Sequence, residues 1–334
     1  MEEVYPSIFL IREKGSLGAI KPPENLYVIT GKDGLIYDGG YGTLWTIKRV
    51  VSQINQLRQQ RRKKGLACNI NRVLPSHVHP DHFSGLKKLR KYLGVKIVLT
   101  DKMAEIIKDK QSYLEYYESN DILEESYENQ SLSALINSHL RKIISRIFFR
   151  IIYGLSFIPN PDIIVKENTT ISINGETWNI FPSPGHARDH ISLYNENKGI
   201  LFSGDNVMRT VTSWLGPPTS NIEKYVETIE KIQDLPNLQL ILPAHGSPIT
   251  SPQQRLQEIL NHRHQRTQQV LNLVQNNAKT GITLSKILER FYPNQGSFMH
   301  GVARGWVILT LRMLRSEGKI RYKVRDNYLK FYPQ

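Results

Sequence analysis

The run Ser76-His77-Val78-His79-Pro80-Asp81-His82 constrains this chain more than any other stretch. It sets three imidazoles and a carboxylate within six residues, directly after an apolar run, Arg72-Val73-Leu74, that reads as the end of a buried strand. Neutral imidazole and carboxylate are the groups that bind divalent zinc, iron or manganese. Side chains alternate between faces along an extended segment, so His77, His79 and Asp81 are predicted to point one way. His82, just past them, turns toward a second point. A lone His-x-His is common in solvated loops. The added Asp-His on a strand exit favours a metal site, and partner ligands elsewhere in the chain decide it.

Those partners are present. Phe181-Pro-Ser-Pro184-Gly185-His186 places a histidine after a strand-like run and a Pro-Gly turn. Gly199 to Asp205 reads as a strand ending in Gly-Asp, and Leu238 to Gly246 as one ending in His245-Gly. Four separate strands each deliver a ligand type at the carboxyl end, with Gly or Pro marking the turn.

These motifs resemble the metallo-β-lactamase superfamily, whose signature is His-x-His-x-Asp-His followed by a His, an Asp and a His. The resemblance covers roughly residues 20–250. It implies that His77, His79 and His186 hold one divalent ion, that Asp81, His82 and His245 hold a second, and that Asp205 bridges them. The runs Asn25-Leu-Tyr-Val-Ile-Thr and Gly34-Leu-Ile-Tyr-Asp38-Gly39-Gly40 resemble the family's first strands, with Asp38 orienting a ligand. Ser76 stands where Thr is usual and Ser84 where Gly is usual, both small changes. His190 matches a position often held by His in hydrolase branches and is expected to support the site.

Strands alternating with helices in two similar halves fit the family's α+β architecture, a four-layer αββα sandwich, over residues 1–250. A helix is expected from Thr43 to Lys64, where Ile47, Val50, Val51, Ile54 and Leu57 recur at helical spacing. Residues 101–160 depart from the strand pattern and read as a helical cap inserted between the metal motifs. In it Lys142, Arg146 and Arg150 recur every four residues on one helix face, suited to an anionic substrate; packing alone and contact with an acidic membrane surface are the alternatives. Residues 251–334 read as a linker helix, then helix-turn-helix and two strands, resembling the winged-helix domain appended to one branch of the superfamily. His262 and His264 lie two apart on the linker helix, face apart, and are rejected as ligands.

Charge is uneven. The net charge is +14, and residues 251–334 hold 14 Lys and Arg against 4 Asp and Glu. A basic tail with Tyr322, Tyr328, Phe331 and Tyr332 between its cations suits a nucleic-acid backbone and stacked bases. Packing on the metal domain, or pairing of two subunits as a homodimer, is the structural alternative. Cys68 is the one cysteine, so no intrachain disulfide and no cysteine-based zinc site can form. It is expected to be a small buried residue beside the motif strand. The acidic start, Met1-Glu-Glu, is unlike a signal peptide, and the most apolar stretch, Ile143 to Ile158, is interrupted by Arg146 and Arg150. No transmembrane segment and a cytoplasmic location are expected, which disfavours a secreted β-lactamase.

The resemblance implies a dinuclear metal-dependent hydrolase using a metal-bridging hydroxide, with zinc, iron or manganese all suited to the ligands. Asp81 then also moves protons as the catalytic acid–base. No Gly-x-Ser-x-Gly elbow competes with this reading. The first substrate class is an ester or thioester, a small anionic molecule such as an acyl-CoA or a carrier-protein conjugate. The alternatives are a single-stranded RNA endonuclease and a nucleic-acid-binding regulator.

Overall fold

Alternating apolar runs build two sheets whose inner faces meet. The structure, a computed structural model, describes residues 1–15, 21–118, 151–295, 297–325 and 328–334, without the side chains of 297 and 298. The first sheet has seven strands in chain order: β1 (Glu2–Tyr5), β2 (Ile8–Glu13), β3 (Glu24–Ile29), β4 (Gly34–Tyr37), β5 (Ile70–Leu74), β6 (Lys96–Thr100) and β7 (Ile163–Val165). Its first four strands are antiparallel and the remaining pairs parallel. The second sheet comprises β8 (Thr169–Ile173), β9 (Glu176–Pro182), β10 (Ile191–Asn195), β11 (Ile200–Gly204) and β12 (Leu240–Pro243), in the order β12-β11-β10-β9-β8.

Strand periodicity divides the side chains between two cores. On β11, Ile200 and Phe202 join the core between the sheets, while Leu201 joins an outer one. On β9, Trp178 and Ile180 go inward and Phe181 outward. The Phe202 ring lies 5.2 Å from Tyr27 and 5.1 Å from Tyr37, so the two sheets meet there. Burying one such side chain contributes about 1.5–3 kcal/mol.

Helices cover the outer faces. Helices α1 (Leu44–Lys63) and α3 (Leu86–Leu93) add Ile47, Val50, Ile54, Leu57, Leu86 and Leu89 to the first core. Helices α6 (Ile222–Gln233) and α7 (Pro252–Asn276) add Ile222, Ile229, Leu256 and Ile259 to the second. Between these lie α2 (Pro80–Phe83), α4 (Asp101–Ile107) and α5 (Lys110–Tyr116). Side-chain caps start several of them: Thr100, Asp109 and Asn221 accept from the backbone N–H of Met103, Ser112 and Lys224.

After α7 come β13 (Ile282–Thr283), α8 (Leu284–Phe291), α9 (Ser297–Ser316), β14 (Ile320–Arg325) and β15 (Tyr328–Pro333), with sheet order β13-β15-β14. Val307, Ile308, Leu311 and Leu314 of α9 belong to the same apolar cluster as Leu201 and Ile229. A single core therefore runs from the second sheet into the C-terminal elements.

Three expectations are corrected. The motif is not extended as far as Asp81: Pro80 opens the short helix α2, which carries both Asp81 and His82. Proline suits a first helical position because its missing N–H has no partner there. The hairpin β1–β2, absent from the sequence reading, begins the first sheet. Cys68 is half-buried rather than buried. Within the expected cap Asp101–Ile107 and Lys110–Tyr116 are helical, while residues 154–160 are not. The row Lys142, Arg146 and Arg150 lies outside the described residues. Among the described residues no helix is long and apolar enough to cross a membrane.

Candidate metal centre

Strand ends place the candidate ligands. His77 and His79 follow β5, with Asp81 and His82 on the adjoining α2. His186 follows β9, Asp205 caps β11, and His245 follows β12. All seven converge, and three groups of ligand atoms lie within 4.8 Å of one another: His77, His79 and His186; His77, His82 and Asp205; Asp81, His82 and His245. In the first group His79 Nδ1 and His186 Nε2 are 2.9 Å apart. In the last, His82 Nε2 and His245 Nε2 each lie 3.7 Å from an oxygen of Asp81. Asp205 stands between the groups. Its Oδ2 is 3.4 Å from His186 Nε2, while its Oδ1 is 3.3 Å from His245 Nε2 and 3.6 Å from His82 Nε2.

Outer hydrogen bonds aim the rings. His186 Nδ1–H donates to the Trp214 carbonyl at 2.7 Å, with Ser213 Oγ 3.0 Å away, and this turns the Nε2 lone pair into the site. His245 Nδ1–H donates to the Pro23 carbonyl at 2.6 Å. His82 Nδ1 faces Asp38 at 3.3 Å, and Asp38 also accepts the Ser76 N–H at 2.7 Å. Asp38 adopts φ +69, an uncommon conformation for a residue with a Cβ, held by the surrounding loop. The orienting role expected of Asp38 thus has matching geometry.

The donor set fits metal ions. Buried His77 Nε2, His82 Nε2 and Asp205 Oδ1 have no hydrogen-bond partner, although such atoms in a folded interior are ordinarily satisfied. Burial and the crowd of neighbouring imidazoles hold His77, His79 and His190 well below the usual histidine range, which keeps them neutral. Burial also lowers His186, against the pull of Asp205. His82 is different: burial would lower it, but Asp81, Asp38 and Asp205 outweigh this and raise it. For Asp205 burial works upward, yet His245, His82 and His186 hold the carboxyl well below its ordinary range. Neutral His77, His79 and His186 and the ionised Asp205 are in the protonation states that bind divalent metal, while His82 would give up its proton on binding.

His190 supports this site without entering it. Its Nε2 accepts the Asp205 N–H at 3.1 Å, so that lone pair is already used, and its Nδ1 meets Ser183 Oγ at 2.8 Å. Gly204 makes this approach feasible, because a Cβ there would lie 2.3 Å from His190 Nε2. His262 and His264 belong to none of the ligand groups.

Four supporting residues escaped the sequence reading. Buried Asp189 accepts the Val78 N–H at 2.8 Å, between His77 and His79, and the Tyr116 hydroxyl at 2.6 Å. Buried Glu24 stands 3.8 Å from His82 Nδ1, and burial pushes its carboxyl well up. The Asn25 side chain donates to the carbonyls of Pro243 and Gly246, clamping the turn that carries His245. Thr219 Oγ1 lies 3.5 Å from His79 Nε2. Their partners lie far away in the chain, so local spacing could not reveal them.

Residues 21–245 match the model of the metallo-beta-lactamase superfamily. The beta-lactamase-like protein 2 homolog of Drosophila melanogaster is 29% identical over 157 residues, which are 47% of this chain and 52% of that protein. The acyl-coenzyme A thioesterase MBLAC2 of Bos taurus is 23% identical over 226 residues, 66% of this chain and 72% of that protein. The atrochrysone carboxyl ACP thioesterase of Aspergillus fumigatus is 30% identical over 112 residues, 34% of each chain. The match spans about half the length of the first of these relatives. A solved metallo-beta-lactamase family protein from Thermus thermophilus has the same fold, with a TM-score of 0.70 at 19% identity over 99% of this chain and 100% of that one.

Proposed function

Since the chain belongs to the metallo-beta-lactamase superfamily, we propose that it is a dinuclear metal-dependent hydrolase of acyl thioesters, such as an acyl-CoA or an acyl carrier conjugate. The carrying observation is Asp205, whose two oxygens face two separate ligand groups. Relatives named as acyl-coenzyme A and ACP thioesterases support the substrate class.

On this reading His77, His79 and His186 would hold one ion and Asp81, His82 and His245 the other, with Asp205 facing both groups. Zinc, iron and manganese all suit these donors. Such a pair supplies a water of near-neutral pKa and polarises the scissile carbonyl. Asp81, 15% exposed at its side chain, receives the proton released by the attacking water and returns it to the leaving sulfur. Asp38, Pro23 and Trp214 fix the rings so that no reorientation is needed during the step. Trp214, 48% exposed beside His186, and Tyr117, with its ring 6.2 Å from that of His79, offer apolar contact to the acyl chain.

A second reading, single-stranded RNA cleavage, rests on the C-terminal hairpin, which we read as the wing of a winged helix. Its pairing sets Arg321, Lys323, Arg325, Tyr328 and Lys330 on one face, cations with one exposed ring that suit a nucleic-acid backbone, whereas Phe331 and Tyr332, expected to stack on bases, are buried. Purified protein loaded with zinc, manganese or iron is offered an acyl-CoA panel and labelled single-stranded RNA. Thioester hydrolysis abolished by His77→Ala is the expected result. RNA cleavage alone, lost in the same variant, overturns the first reading.

A further inference from the structure

The sandwich edge opposite the metal ligands holds a cavity of ≈ 570 Å³, lined by residues that include the end of β3 and the β8–β9 turn. It lies about one strand length, roughly 17 Å, from the ligand groups. Arg61, in the last turn of α1, lines it and is only 9% exposed. Its Nε donates to the Ala67 carbonyl at 3.0 Å and its Nη2 reaches Ser7 Oγ at 3.4 Å. No carboxylate among the described residues pairs with this guanidinium. Fully buried Trp178 also lines the cavity, and its Nε1–H has no acceptor.

The two lining carboxylates are each ion-paired, Glu176 with a lysine that lines the same cavity. Asp33 is held by Arg72 at 2.7 Å and Glu176 by Lys198 at 2.9 Å. What remains for a ligand is therefore donors: the Arg61 guanidinium and exposed Lys32. Ile8 and Ile29 supply apolar wall. A guanidinium this buried is ordinarily paired, because desolvating an uncompensated charge is costly. Arginine's planar fork matches carboxylate and phosphate oxygens.

We propose that this cavity binds a small organic anion, its carboxylate or phosphate set against Arg61 and its apolar body along Ile8, Ile29 and Trp178. The site is independent of the metal centre and of the thioester reading. The test titrates full-length protein, stripped of metal by a chelator, with inorganic phosphate and with benzoate, followed by calorimetry. Saturable one-to-one binding of at least one probe is expected, and which of them binds tells a phosphate site from a carboxylate site. Arg61→Met should weaken that binding about 10- to 100-fold. His77→Ala should leave it unchanged. If Arg61→Met does not fold by thermal melt, Arg61→Lys retains the charge without the fork and should still weaken binding several-fold. Binding of neither probe, or equal affinity in the wild type and the foldable Arg61 variant, overturns the proposal. So does loss of binding in His77→Ala, which would place the anion at the metal ligands.

Discussion

Asp189 ties together three segments around the candidate metal ligands. It follows His186 by three residues, accepts the N–H between His77 and His79, and is capped by the hydroxyl of Tyr116 at the end of α5. Asp189→Ala leaves that amide and that phenol as buried donors without acceptors. At about 1–3 kcal/mol each, the cost to stability is about 2–6 kcal/mol. Asp189→Asn keeps one oxygen for Val78 and offers an amide N–H to the phenol oxygen, so it should cost about 1 kcal/mol or less. Tyr116→Phe loses one hydrogen bond, about 0.5–1.5 kcal/mol. Metal binding should follow the same order. Loss of a group that holds ligands in place lowers metal affinity about 10- to 100-fold, and here the loss should fall on the ion bound by His77 and His79. Urea unfolding of the metal-free variants gives the first series, and two-step competition with a chromophoric chelator gives the second. If Asp189→Asn is as damaging as Asp189→Ala, charge rather than hydrogen bonding holds the loop and the reasoning fails. Equal weakening of both binding steps would refute the claim of a local effect.

Other outcomes follow from the same geometry. His77→Ala should lower the hydrolytic rate by at least about 10²-fold by removing a ligand, measured as thiol release from acyl-CoA; a rate near wild type would remove His77 from the site. The metal-free protein should lose stability as pH falls below the ordinary histidine value of 6.5, because burial depresses His77, His79, His186 and His190. Their contribution is complete above that value and is lost as pH drops through the depressed folded values. His82 and the buried carboxyls of Glu24, Glu13 and Asp189, all raised, work in the opposite sense, and the expectation is that the four histidines prevail. Thermal melts in chelator from about pH 5 to 7.5 check the sign, and greater stability at the acid end would contradict it. Gly204→Ala should destabilise by about 2 kcal/mol or more, since the new methyl meets His190 at a φ of +51; an unchanged melting temperature would show that the loop gives way freely. Asn25→Ala should cost about 1–3 kcal/mol by releasing the Pro243 and Gly246 carbonyls, and a wild-type urea midpoint would deny that clamp.

The residues that converge in the candidate metal centre were legible because each sits beside a local mark: an apolar strand before it and Gly or Pro at the turn. The first long helix was legible from its apolar spacing, and the expected span Thr43 to Lys64 agrees with α1, Leu44–Lys63, to within one residue at each end. Long-range partners carry no such mark. Asp189 meets Val78 across 111 residues, and Asn25 meets Pro243 across 218. Glu24 looks like a polar residue entering a strand, and only its burial behind His82 reveals more. The hairpin β1–β2 was obscured by charged and turn residues around a short apolar run. The turn at Pro80 did leave a signal, since proline followed by Asp opens helices, but the His-x-His alternation drew the reading toward a strand.

Gly305 of α9 comes so close to the loop beyond Trp214 that an added Cβ would lie 2.7 Å from the Leu215 carbonyl. The neighbouring Trp214 carbonyl is the one that fixes the His186 ring. The far end of the chain thus acts as a backstop for a metal ligand, and a shortened protein ending near residue 250 would lose that brace together with much of its outer core. Methyl-sized changes on a helix that carries none of the ligands would then tune ion affinity at the opposite side of the loop.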